Sequence, residues 1–264
     1  MMQARPRDYL WLGLACAFAA FPVFYMVVTS LKTRALLYEP ARFVFSPTLD
    51  NYRAAIVSHG LYKYIADSLI VSLSNVVLCL TLGTVAAYAI HKFSFPRKEA
   101  VVFGILSSRI FPSIALVLPF YVLGLTFEML DTYAILILTF MVFNLPFVVL
   151  MMRSYLAALA PEVEEAALLD GCSRFGVLMR IVLPQVRTGL FATGIMCFLA
   201  AWNEFTYALF LSSSKVNMVS TAVVFFKTER GILWGEVSAL GVVAVLPVVI
   251  LCFVAQKYLV KGMS

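Results

Sequence analysis

Charge and histidine are both scarce in this chain. Of its 264 residues 13% are charged and 62% are apolar, with a mean hydropathy of +0.95. Soluble domains carry about 25% charged residues, so an ordinary soluble domain is excluded. The two histidines, His59 and His91, supply too few ligands for a zinc or haem constellation. The five cysteines, at positions 16, 79, 172, 197 and 252, lack any paired spacing, which implies neither a disulfide framework nor a metal site. No Gly-rich loop ending in Gly-Lys-Ser or Gly-Lys-Thr is present to cradle nucleotide phosphates, so ATP chemistry falls to another chain. A net charge of +6 raises the question of nucleic acid, but the basic residues are spread through segments between apolar runs. Lipid headgroups account for that distribution, and a nucleic-acid partner is not expected.

What the chain has in abundance is apolar sequence in runs long enough to cross a bilayer, for which a helix needs about 20 residues. Six such segments stand out: Tyr9 to Leu31, Asp67 to Ile90, Ala100 to Leu125, Tyr133 to Met152, Leu190 to Leu211 and Val237 to Ala255. The expected fold is an all-α integral membrane protein of six transmembrane helices, forming one domain over residues 1–264. The first run follows Arg5 and Arg7 but exceeds the length of a signal-peptide core, so it reads as a retained span. Short basic stretches set the orientation: Arg5 and Arg7, then His91, Lys92, Arg97 and Lys98, then Lys257 and Lys261. They put both termini in the cytoplasm. Between Lys32 and Ala66, Pro40, Pro47, Asn51, Tyr52 and Gly60 supply the turn chemistry of an ordered outer loop with one short helix. The loop from Ser212 to Glu236, with Lys215, Asn217, Lys227, Glu229, Arg230 and Trp234, offers a face to a soluble partner.

One stretch breaks the apolar character. From Pro161 to Leu190 the sequence is polar, and its first half carries Glu162, Glu164, Glu165 and Asp170 without a basic residue. Pro161 can open a helix, and carboxylates suit the positive end of its dipole. Gly171 permits a turn, and Ser173 can cap a second helix, along which Phe175, Leu178, Met179 and Val182 form a narrow apolar face that Pro184 ends. An amphipathic connector resting on lipid would usually be basic. The composition leaves that reading open beside a docking site for a partner.

The spacing Glu165, Ala166, Ala167, then Gly171, Ile181, Leu183 and Pro184 resembles the EAA motif of ATP-binding-cassette importer permeases. AAYAI from Ala86, RIFPSIALVLPFY from Arg109, LDTY from Leu130 and WNEF from Trp202 extend the resemblance to the carbohydrate-uptake branch, in the style of the second permease of a maltose transporter. The resemblance implies that a cytoplasmic loop of about residues 153–189 forms a coupling helix docked on an ATPase, with Glu164, Glu165, Ala166, Asp170 and Gly171 at the contact and Leu183 and Pro184 anchoring the return to the membrane. It further implies a second permease subunit, two ATPase subunits that bind ATP and Mg, and an extracytoplasmic solute-binding protein. This chain itself would bind no cofactor. Where many relatives carry proline after the Leu-Pro pair, this chain has Thr188 and Gly189, so a different bend is expected on leaving the loop.

Within the apolar segments Arg109 and Glu204 are expensive to expose to lipid and should face the bundle interior. With Asn144, Trp202 and Asn203 they could line a polar substrate route, the indole giving an aromatic face to a sugar ring. The alternative is that Arg109 lies near headgroups and Glu204 caps a broken helix. A competing function is an ion-coupled secondary transporter working without an ATPase, for which Glu204 is the main candidate acid. An intramembrane enzyme lacks converging nucleophile, base or metal ligands.

Overall fold

The computed structural model describes residues 6–228 and 231–261. Arg5, Glu229 and Arg230 lie outside the described residues, as do the side chains of Lys227, Lys257 and Lys261. Twelve helices are labelled here in chain order: α1 (Pro6–Ser30), α2 (Asp50–Arg53), α3 (Leu61–Lys92), α4 (Lys98–Ser107), α5 (Ser113–Thr126), α6 (Tyr133–Ala157), α7 (Pro161–Leu169), α8 (Arg174–Val177), α9 (Leu183–Gln185), α10 (Arg187–Trp202), α11 (Thr206–Leu211) and α12 (Trp234–Lys261). Two short antiparallel strands, β1 (Lys227–Thr228) and β2 (Gly231–Ile232), pair Lys227 with Ile232 and Thr228 with Gly231.

Among the described residues four uninterrupted helices are long and apolar enough to cross a membrane: Arg7–Ser30, Leu61–Lys92, Tyr133–Ala157 and Trp234–Val254. The third and fifth expected spans are each interrupted. Pro112 is extended, with φ −60° and ψ 135°, and it separates α4 from α5 inside the run from Ala100 to Leu125. Proline cannot donate a helical hydrogen bond, and it disfavours helix in the residue before it. The run from Leu190 to Leu211 divides into α10 and α11 at Asn203 to Phe205. Arg174–Gln185 and Arg187–Trp202 form a further apolar pair bent by 79°.

Two compact units can be distinguished, Met1–Lys63 with Ala222–Pro247, and Tyr64–Thr221 with Val248–Ser264. In the first, the outer loop is ordered by two buried polar residues. The Lys32 ammonium donates to the Glu39 and Pro40 carbonyls at 2.9 and 3.3 Å, with the Phe43 and Phe45 rings 6.0 and 5.8 Å away. Asn51 donates to the Ser30 and Lys32 carbonyls at 2.8 and 2.7 Å. The first of the Asn51 bonds satisfies the Ser30 carbonyl, one of those that α1 leaves open at its C-terminal end. The expected short helix in this loop is α2, which runs on as a π turn over Ala54–Ser58.

The second unit holds two apolar clusters. One gathers Tyr88, Val148, Met152, Leu156, Ala167, Val177 and Val182; the other gathers Val71, Leu136, Phe140, Tyr207, Leu211 and Met218. Between them lies a buried amide pair. Asn144 Nδ2 donates to Asn75 Oδ1 at 2.7 Å and to the Cys197 carbonyl at 3.4 Å, while Asn75 Nδ2 donates to the Ile137 carbonyl at 3.1 Å. Three helices, α3, α6 and α10, are thereby joined at one level.

At the far end, carboxylates organise the segment after α11. Asp131, with φ +58°, accepts the backbone N–H groups of Ser213, Ser214, Lys215 and Val216 at 2.8, 3.0, 2.9 and 3.2 Å. Asp67 accepts the Tyr133 hydroxyl at 2.6 Å and the Asn217 N–H at 2.9 Å, and Ser68 Oγ accepts the Val219 N–H at 2.7 Å. Burial pushes the Asp131 carboxyl upward, but the four amide donors outweigh it and hold the group well below the usual carboxylate range. Because its folded pKa is depressed, its stabilisation is present above the ordinary value of about 3.9 and is lost as pH falls through the lowered folded value. Asp131→Ala should therefore raise hydrogen exchange at Ser213 to Val216 by about tenfold or more at neutral pH, since a hydrogen bond to a charged group contributes about 1.5–3 kcal/mol. In the wild type these amides should stay protected down to pH 4; exchange at pH 4 equal to that of the variant would contradict the assignment.

Candidate functional site

The polar stretch forms a helical hairpin, and its local chemistry explains each turn. Pro161 opens α7, where its missing N–H costs nothing, and Glu162 and Glu164 occupy the first turn. The helix closes on Gly171, whose φ is +84°. Its N–H reaches the Leu168 carbonyl at 3.1 Å, and the Cys172 N–H reaches the Ala167 carbonyl at 3.0 Å. This double closure is the Schellman arrangement, which requires a left-handed residue at that position. Ser173 Oγ then accepts the Gly176 N–H at 3.1 Å and caps α8.

Pro184 does not end the second arm. A π turn over Leu178–Val182 precedes it, with the Leu183 N–H donating to Leu178, and helix continues through Pro184 to Gln185. The wider turn shifts the bonding register just before the residue that has no N–H to give. The chain then bends by 79° into α10. At this exit Gly189 sits against the Tyr155 ring, so close that a Cβ would lie 2.5 Å from it.

The two sides of α7 differ. Glu164 and Ala167 are buried, whereas Glu162, Val163, Glu165, Ala166, Leu169 and Asp170 are exposed, with Leu169 at 89%. Exposed side chains therefore recur at positions 162, 166 and 169, a helical spacing, and mix carboxylates with apolar groups. On the second arm the expected apolar face divides: Leu178 and Val182 are buried, while Phe175 and Met179 are exposed. Leu183 is half-buried and Pro184 exposed. Large apolar groups left open beside carboxylates are an informative surface, unlike scattered exposed leucines. Glu164 points the other way: its Oε2 accepts the Tyr88 hydroxyl at 3.0 Å and lies 3.2 Å from the Lys92 ammonium.

The residues expected to line a substrate route are not brought into one cluster. Arg109 lies exposed in the break between α4 and α5, its guanidinium 5.3 Å from the centre of the Phe147 ring. Asn144 is buried in the amide pair with Asn75. Trp202 is buried, stacked on Phe198 at 5.5 Å. Asn203 is exposed and donates to the Leu199 carbonyl at 2.8 Å. Glu204 Oε1 accepts the Tyr207 N–H at 3.1 Å, capping α11. Among the described residues no ion pair joins Arg109 to Glu204. Sequence reasoning assigned no bonding role to Asp67, Tyr88 or Asp131, and read Asn75 only as part of a small-residue packing face of the second span. For Asn75 and Asp67 the available signal was an amide and a carboxylate within a long apolar helix.

A family model described as the binding-protein-dependent transport system inner membrane component matches residues 79–264. The chain belongs to this family. A probable ABC transporter permease protein of Sinorhizobium fredii is 36% identical over 262 residues, covering 98% of this chain and 94% of that protein. The sulfoquinovosyl glycerol transport system permease protein of Agrobacterium fabrum is 30% identical over 263 residues, covering 98% of this chain and 92% of its own length. The crystal structure of a bacterial ABC transporter involved in import of the acidic polysaccharide alginate contains a chain that superposes with a TM-score of 0.80 at 21% identity, over 98% of this chain and 99% of that one. That match shows the permease fold. The hairpin and the amide pair thus belong to an ABC transporter permease.

Two outcomes follow from this geometry. Nothing lies within 4 Å of a Cβ built on Gly171, so Gly171→Ala should destabilise the hairpin through backbone strain alone, by about 1–2 kcal/mol. It should be seen as faster hydrogen exchange from Leu168 to Cys172, and unchanged exchange would contradict it. Asn144→Leu leaves Asn75 Oδ1 with only the weak Cys79 and Cys197 thiol donors and should cost about 1–3 kcal/mol in detergent unfolding, whereas Asn75→Leu/Asn144→Leu should recover most of that loss.

Proposed function

We propose that this permease is the membrane half-channel of an importer for a carbohydrate or related polyol or sugar phosphate, driven by ATP hydrolysis on separate subunits. The observation that carries the proposal is the exposed side of α7, where Val163, Ala166 and Leu169 lie among Glu162, Glu165 and Asp170. A cleft on an ATPase subunit that covers this side removes its apolar groups from water and meets its carboxylates with basic groups. The whole chain acts as one domain, crosses the membrane six times when the interrupted segments are counted, and keeps both termini and the hairpin in the cytoplasm. It works with a second permease subunit, two ATPases holding ATP and Mg, and an extracytoplasmic solute-binding protein. Closure of the ATPases draws the hairpins together and turns the spans from inward-facing to outward-facing. The carbohydrate class rests on the relative that transports sulfoquinovosyl glycerol and on the motifs shared with sugar permeases.

Arg109, Trp202, Asn203 and Glu204 remain the residues proposed to border the solute route, with Asn144 holding the helices behind them. Glu204 spends one carboxylate oxygen on the α11 cap, which weakens a reading as an ion-coupled carrier. The test is reconstitution with the ATPase and binding protein in vesicles, followed by a screen of sugars and polyols for stimulated ATP hydrolysis and uptake. Glu165→Lys and Gly171→Val should bring uptake to background while the protein stays in the membrane. Normal uptake in both variants removes the coupling role, and uptake that persists without the ATPase subunits favours the carrier.

A further inference from the structure

Glu164 stands out among the acidic residues of the hairpin because it is unavailable to a partner. It is 3% exposed, whereas Glu162, Glu165 and Asp170 face outward. A carboxylate removed from water is tolerated when it is paired and hydrogen-bonded. Both conditions are met by α3: Tyr88 donates at 3.0 Å, and the Lys92 ammonium lies 3.2 Å away, both on the last turns of that helix. One turn further along α7, Ala167 is buried in the same apolar cluster as Tyr88 and Ile90. The first arm of the hairpin is therefore fastened to the end of α3 by a charge pair between buried Glu164 and half-buried Lys92, a hydrogen bond and close packing.

Resting on the coupling role proposed above, the geometry points to Glu164 as a positioning residue that carries displacement of the hairpin into α3. It is a pin between two elements and makes no contact with the ATPase. Helix α3 is 32 residues long, and the amide of Asn75 in its middle is bonded to α6. A push delivered at Tyr88 and Lys92 thus reaches a helix already joined to the centre of the bundle. A hairpin held by apolar contact alone could slide, because dispersion contacts have little directional preference. A paired carboxylate fixes distance and direction together.

The test reads motion at two places in the assembled complex of permeases and ATPases. Nitroxide labels on unnatural amino acids leave the five cysteines untouched. One pair joins Arg180 of the hairpin to Ser154 of α6, and the other joins Val85 of α3 to Ser154, all exposed positions. Distances are measured without nucleotide and after trapping with ATP, Mg and vanadate. In the wild-type chain both distances should shift. Glu164→Met, which keeps chain length and leaves Lys92 able to reach water, should preserve the hairpin shift and lose the α3 shift. The swap Glu164→Lys with Lys92→Glu should restore it.

A wild-type α3 shift in Glu164→Met overturns the inference. So does a loss that the swap fails to restore, which assigns the link to packing. If Glu164→Met does not assemble, the swap decides alone: an α3 shift supports the pin and its absence overturns it. Should neither distance change in the wild type, the coupling role itself fails, a result distinct from failure of the pin.

Discussion

Within an apolar interior, a polar group must find its partner inside the protein. Water is not there to complete the bond, and an unsatisfied group costs several kcal/mol. The central pair of the second compact unit answers this constraint, and carboxylates gather donors toward its two ends. Asn75 and Asn144 answer each other in the middle, Asp67 and Asp131 collect hydroxyl and amide donors at one end, and Glu164 takes Tyr88 and Lys92 at the other. Apolar packing fills the space between these points. The polar pairs fix which helix sits beside which, because an amide or carboxylate discriminates among positions that leucine treats alike.

The hairpin was largely legible in sequence, since its turns depend on local chemistry. Pro161 at a helix start, Gly171 at a helix stop and Ser173 at the next cap are each explained by one residue and its nearest backbone. Pro184 was misjudged because its effect depends on the preceding turn, which widened into a π turn. The break at Pro112 was legible, since a proline within an apolar run marks an interruption of helical hydrogen bonding, although hydropathy reads the run as one span. The expected run from Tyr9 to Leu31 lies within three residues of α1 at both ends, and the run from Tyr133 starts where α6 starts, because long apolar runs carry a strong signal.

Tertiary pairing was less visible. Nothing in the local sequence says that Asn75 faces Asn144, since the partners lie 69 positions apart. The direction of Glu164 was equally hidden: it sits in a run of acids whose members share composition and differ by rotation around α7. A turn of about 100° per residue separates an inward carboxylate from an outward one. The LDTY motif carried its resemblance without its reason, which is the capture of successive amides by Asp131 and the bond from Tyr133 to Asp67.

Helix α1 obeys a different rule. Every residue from Arg7 to Phe24 is exposed in this chain, including Trp11 and Phe18. Ring contacts to other residues come at its far end, where Phe21 stacks on Tyr25 at 6.2 Å and Phe24 on Phe43 at 6.5 Å. From Tyr9 to Ala20 the apolar content is prescribed by the solvent the helix enters, and the exposed side chains leave their order loosely specified. Shuffling the apolar residues from Tyr9 to Ala20 would disturb few contacts within the chain, whereas the same shuffle in α6 would dismantle its buried core. One polypeptide therefore contains a segment specified as a phase and another specified as a lock.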